Sequence, residues 1–145
     1  MSPTPILTHA RNGLLRIWDY PQDGSEYVVG ADSAEGRQKD RSIRGRHVSD
    51  APDNSAAVVI RKDTGLHVAT LCGNIPADQF LIQLLALGHY YNQALLVPEL
   101  NGPGLVIAIG MAEHGYPNVY RSRAYNTIDI QDPLANNLGW KTTAV

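Results

Sequence analysis

The apolar positions of this chain fall into short runs up to residue 73 and into a longer periodic pattern beyond it, and each pattern predicts a different kind of element. Residues 14–18 are a short apolar stretch closed by Asp19-Tyr20-Pro21-Gln22-Asp23-Gly24. The Pro, Asp and Gly there favour a turn, so the stretch is an edge strand or a linker. Residues 27–31 form a β-prone run ending at Asp32, and residues 56–60 form a continuous run rich in Val and Ile, the pattern of a strand buried on both faces. Both are predicted to be central. Asp63-Thr64-Gly65 then separates the run ending at Arg61 from residues 66–71, which is a hairpin signal. The three strands starting at residue 27 are therefore expected to form an antiparallel meander.

After Gly73 the period changes. Pro76, Ala77 and Asp78 suit a helix start, and Phe80, Leu81, Leu84, Leu85 and Tyr91 line one face of a helix of roughly four turns. Residues 94–97 read as a buried strand, and the helix before it is the crossover that parallel pairing requires. The mostly apolar segment 104–114 begins beside Pro103 and stops at Gly115, with Pro117 just beyond, so it predicts a second, largely buried helix. Residues 119–121 give one more short strand. The expected order is β-β-β-α-β-α-β, an α/β fold with a mixed five-stranded sheet and helices packed on it.

Composition narrows this picture. With 145 residues and 43% hydrophobic content, one core and one domain are expected. The 12 Lys and Arg against 14 Asp and Glu give a net charge of -2, which excludes a global positive field. Contact with nucleic acid must then come from local patches. The single cysteine, Cys72, excludes an intrachain disulfide and fits a reducing, intracellular setting; it lies in the apolar run 68–72 and is expected in the core. The amino terminus lacks a basic segment followed by an apolar one, and no apolar run approaches the roughly 18 residues of a membrane span, so a soluble, unexported protein is expected. The histidines at 9, 47, 67, 89 and 114 show no metal-ligand spacing and read as structural. Gly102-Pro103-Gly104 resembles a dinucleotide-binding turn, but Ile107 stands where the third glycine belongs, so it reads as a helix entry. With one Phe and two distant Trp, no aromatic platform for single-stranded bases is evident, and duplex DNA suits the chain better.

Candidate chemistry gathers at two strand ends. Asp32 closes the first central strand and Glu99 follows the run 94–97. If those strands are parallel neighbours, both carboxylates leave the sheet at one edge, where they repel each other unless a proton is shared or cations sit between them. Mg2+ or Mn2+, hard ions with oxygen ligands, are the natural compensation, and a pair of them supports phosphodiester hydrolysis. Spacing alone leaves open the plainer alternative of two solvated turn residues. Arg37, Lys39, Arg41, Arg44, Arg46 and His47 crowd between the first two central strands. They form either a grip on a DNA backbone beside the acidic pair or a solvated loop diluted by Asp40 and Asp50.

Taken in order, three segments resemble the nuclease domain of phage terminase large subunits, a ribonuclease H-like fold. They are Tyr27-Val28-Val29-Gly30-Ala31-Asp32-Ser33-Ala34-Glu35-Gly36, then Asp53-Asn54-Ser55-Ala56-Ala57, then Val97-Pro98-Glu99-Leu100-Asn101-Gly102. Trp18-Asp19-Tyr20-Pro21, Tyr91-Asn92 and Gly139-Trp140-Lys141-Thr142 extend the resemblance over roughly residues 13–142. It implies a lead-in over 1–25 and a nuclease domain over 26–145. It also implies Asp32 and Glu99 as catalytic metal-binding carboxylates, Asp53 as a third acid near the metals, and Mg2+ or Mn2+ as cofactor. Double-stranded DNA would be the substrate, the portal and small terminase subunit of a packaging machine the partners, and the cytoplasm of an infected or lysogenic bacterium the location.

Two departures qualify what the resemblance implies. The chain contains no Gly-x-x-x-x-Gly-Lys-Ser/Thr phosphate loop, so no packaging ATPase is expected in it. The family's further essential Asp comes from a helix well beyond the Gly139–Thr142 segment. The domain is thus expected to be incomplete at its carboxyl end, with weakened metal binding at one of two sites and low or absent activity. Three classes stay open: a metal-dependent endonuclease trimming packaged DNA, a non-catalytic remnant that binds DNA or a packaging partner, and an actin-like phosphotransferase sharing the strand-Asp-Gly opening. The long segment before Asp53 and the lack of a later Gly-rich adenosine turn weigh against the third.

Overall fold

The computed structural model describes residues 7, 10–34, 54–122 and 138–140. Its elements are β1 (Leu15–Ile17), β2 (Tyr27–Asp32), β3 (Ser55–Arg61), β4 (His67–Gly73), α1 (Ala77–Tyr90), β5 (Leu95–Pro98) and α2 (Gly104–Glu113). The strands form one five-stranded sheet in the order β1-β4-β3-β2-β5. The expected meander is present as β2-β3-β4, antiparallel throughout, and α1 carries the chain across to β5, which pairs parallel to β2. Residues 14–18 resolve as an edge strand, because β1 pairs antiparallel with β4.

The hairpin between β3 and β4 follows from its turn residues. Gly65 N–H donates to the Arg61 carbonyl at 2.8 Å, and the Arg61 guanidinium meets Asp63 at 2.8 Å. Helix α1 begins after Pro76, which needs no backbone donor at that position. It buries Phe80, Leu84, Leu85 and Leu87. Helix α2 buries Ile107 and Met111 against the same core. Both helices lie over the sheet face formed by Tyr27, Val29, Ala57, Val59, Leu71 and Leu96, all almost fully buried. Period-2 alternation sends the intervening residues to the other face.

That geometry corrects three expectations. Residues 56–60 are buried on one face only: Ala57 and Val59 are buried, Ala56 and Val58 half-buried, and Ile60 is exposed. An apolar run cannot tell whether one face or two are covered, and here both helices pack on one. Cys72 is exposed rather than in the core, since Leu71 takes the inward position and its neighbour must face out. Under native conditions Cys72 is expected to react fully with a thiol reagent before unfolding begins, which a reagent titration with and without denaturant checks. Lastly, residues 119–121 make isolated bridges rather than a strand. Val119 bridges Leu96, and Tyr120 N–H donates to the Leu96 carbonyl at 2.8 Å. Strand β5 has only four residues, so its outer edge offers few ladder positions.

The lead-in is tied to the far end of α1. Tyr91 Oη donates to the Asp19 carbonyl at 2.8 Å, and Asn92 Nδ2 donates to the carbonyls of Gln22 and Ser25 at 2.8 and 2.9 Å. The histidines within the described residues make local contacts: His67 and His114 bond backbone carbonyls, and His89 packs edge-on to Tyr116. No helix among the described residues is long and apolar enough to cross a membrane.

Candidate functional site

Asp32 ends β2, and Glu99 follows directly on β5. Ala31 stands opposite Pro98, and the Glu99 N–H donates to the Ala31 carbonyl at 2.9 Å. One step further along this register, Asp32 and Glu99 are neighbours. Alternation turns Asp32 away from the helices, because Tyr27, Val29 and Ala31 of the same strand face them. Two carboxyl groups from distant parts of the chain therefore meet where β2 and β5 end.

Their proximity is written into the acidity of Asp32. Partial burial, the negative charge of Glu99 and a hydrogen bond with Glu99 all hold its carboxyl above the usual aspartate range. The residue stays solvent-accessible, so water screens part of the repulsion. Such a pair takes up a proton or a cation in preference to standing as two bare charges. Hard carboxylate oxygens suit Mg2+ or Mn2+, and Asp32 and Glu99 are the residues that would hold such an ion. Among the described residues no group of three or more His, Cys, Asp or Glu converges.

Glu99 is braced from both sides. On one side, Leu100 N–H donates to the Trp140 carbonyl at 2.8 Å and Trp140 N–H to the Pro98 carbonyl at 3.1 Å. Gly139 makes this clasp possible: its φ is 65°, and a Cβ there would strike the Pro98 carbonyl oxygen. On the other side, the chain turns from Asn101 into α2, and the Gly104 N–H donates to the Asn101 carbonyl at 3.2 Å. A Cβ on Gly104 would collide with the Glu99 carbonyl, so only glycine lets the helix start this close. From within the turn, Asn101 Nδ2 donates to Glu99 Oε1 at 3.0 Å.

The structure thus brings together Asp32 and Glu99. Asp53 and the basic residues Arg37, Lys39, Arg41, Arg44 and Arg46 lie outside the described residues. Asn101 is the contact that sequence reasoning passed over. Its signal was its position, two residues beyond an acid and just before a Gly-Pro-Gly turn.

No family model matches the sequence, and no curated protein resembles it closely enough in sequence to count as a relative. Solved structures do match by fold. The large terminase nuclease from thermophilic phage G20c, solved with bound magnesium, superposes with a TM-score of 0.58 at 21% identity, covering 83% of this chain and 57% of that one. The chain has the large terminase nuclease fold. The same G20c nuclease with bound zinc gives a TM-score of 0.57 at 21% identity over 90% of this chain and 63% of that one. The Thermus phage P74-26 large terminase nuclease domain gives 0.53 at 21% identity over 90% and 56%. The chain thus spans a little over half the length of the terminase nucleases it matches. This likeness and the mixed sheet bear out the ribonuclease H-like fold expected from the sequence.

Proposed function

We propose that this chain is the core of a metal-dependent endonuclease of the phage terminase kind, acting on the phosphodiester bonds of double-stranded DNA. The observation that carries this reading is the meeting of Asp32 and Glu99 at the ends of two adjacent parallel strands. The fold shared with terminase nucleases, some solved with magnesium or zinc, supports it. A divalent ion held by these carboxylates would activate water and neutralise charge on the leaving oxygen. The chain's own residues bind and orient: Asp32 and Glu99 supply oxygens, and Asp53 would reinforce them. Portal and small terminase subunits are the partners such a domain would have, in the cytoplasm of an infected or lysogenic bacterium.

One observation favours a second reading, a module that binds DNA or a packaging partner without cutting: only two acids converge among the described residues. Incubating the chain with supercoiled plasmid and Mg2+ or Mn2+ separates the two. Nicking that disappears with chelator supports the nuclease. DNA binding with no cleavage under either metal supports the module.

The DNA grip assigned to Arg37, Lys39, Arg41, Arg44 and Arg46 has its own test. Replacing Arg41, Arg44 and Arg46 together with Gln should weaken binding to all duplex sequences alike. It should also lower the slope of log affinity against log salt by up to about 2–3, the share of three released counterions. Equal slopes for both proteins in a fluorescence-anisotropy titration would retire this role.

A further inference from the structure

We propose that Asn101 is a positioning residue for the acidic pair, holding Glu99 Oε1 so that the other carboxylate oxygen is left to face Asp32. Its value for metal binding rests on the metal-site reading above; the contact itself does not.

A carboxylate has only acceptors, so the Asn101 atom facing it must be the amide nitrogen, and the observed Nδ2 to Oε1 distance of 3.0 Å is that of a charge-assisted hydrogen bond. Between two mobile surface side chains such a bond would be transient, but both ends here are pinned by backbone. Glu99 donates its N–H to Ala31, and Leu100 is clasped to Trp140. Asn101 accepts the Gly104 N–H, and Gly104 abuts the Glu99 carbonyl. The amide is therefore delivered to Glu99 by the turn into α2.

The Asn101 amide adds to the contacts that select among the Glu99 side-chain rotamers at the end of β5, only some of which present an oxygen toward Asp32. A partner that removes this freedom raises affinity for a shared cation by orienting its ligand. Asn101 is itself exposed, so replacing it removes the contact without opening the core.

The test uses the whole chain, labelled with nitrogen-15, and needs no activity. The Asn101 side-chain amide signals, identified by their loss in Asn101→Leu, are expected to move in Glu99→Gln. Unmoved signals would overturn the contact. Calorimetric Mn2+ titrations form the second arm. Asn101→Leu is expected to weaken binding about tenfold, the lower end for an outer partner because water competes at this exposed position. Asn101→Gln, which keeps the donor, is expected to recover part of the loss. Wild-type affinity in Asn101→Leu, or no recovery in Asn101→Gln, would overturn the positioning role. If the unsubstituted chain binds no Mn2+, the metal-site reading fails, and the amide signals alone decide whether Asn101 holds Glu99.

Discussion

Asp32→Asn is expected to abolish divalent-metal binding and plasmid nicking while making the metal-free protein more resistant to heat at neutral pH. The two effects have one origin. Partial burial of the Asp32 carboxyl and the neighbouring charge of Glu99 both disfavour its ionised form, so the folded state holds a proton on Asp32 more tightly than the unfolded chain does. A group whose folded pKa is raised contributes its stability at low pH. That contribution is lost as pH rises from the ordinary aspartate value of 3.8 through the higher folded value. Metal-free wild type should therefore lose stability over that window, and Asp32→Asn should flatten the loss. Mg2+ should protect wild type at neutral pH and leave the variant unchanged, because an ion that binds only the folded state stabilises it by mass action. Cleavage should fall by about a hundredfold or more, the scale on which a charge-stabilising group in a reacting site is felt. Melting curves from pH 4 to 8, with and without Mg2+, check the linkage. A variant less stable than wild type at pH 7, or still protected by Mg2+, would show that the two carboxylates do not work as a pair.

Gly104→Ala is expected to be among the most damaging single-methyl additions in the chain. The new Cβ would lie 2.8 Å from the Glu99 carbonyl carbon and closer still to its oxygen. Both are backbone atoms and cannot swing aside as a side chain could. Either α2 must begin further from the sheet, losing contacts of Ile107 and Met111 with the core, or Glu99 must leave its place beside Asp32. Overpacking of this kind costs about 1–3 kcal/mol. At roughly 3 °C per kcal/mol for a chain of this size, that lowers the melting temperature by several degrees. Gly30→Ala is the matched control, since its Cβ would meet nothing within 4 Å. Equal melting temperatures for the two variants would mean that the turn after Glu99 yields more easily than its contacts indicate.

The sequence announced those elements whose signals are local. Asp63-Thr64-Gly65 marked the hairpin, and the spacing of Phe80, Leu84 and Leu85 after Pro76 marked α1. The helix before β5 called for a parallel partner without saying which strand it would be; the structure makes it β2, and that pairing is what brings Asp32 to Glu99. What it left open depends on neighbours that no single run encodes. Cys72 and Ile60 sit in strands apolar enough to pass for double-sided, yet the sheet is covered by helices on one face. The uniformly apolar sequence of α2 hides which side faces out, and Leu105 and Val106 are exposed. The place of Asn101, two residues after an acid and before a Gly-Pro-Gly turn, was visible in the sequence, but its contact with Glu99 depends on a turn whose tightness is set by Gly104 and a clasp set by Gly139.

The β2-β5 ladder also decides when the acidic pair can exist. Strands β3 and β4 are joined by a short turn and can pair locally. The β2-β5 pairing, by contrast, must wait until β3, β4 and α1 have been laid down between its partners. Non-local parallel pairing of this kind pays its loop-closure entropy late and tends to form slowly. A chain arrested before that closure would have much of its sheet yet no place for a cation, so capture of a divalent ion would mark completion of folding.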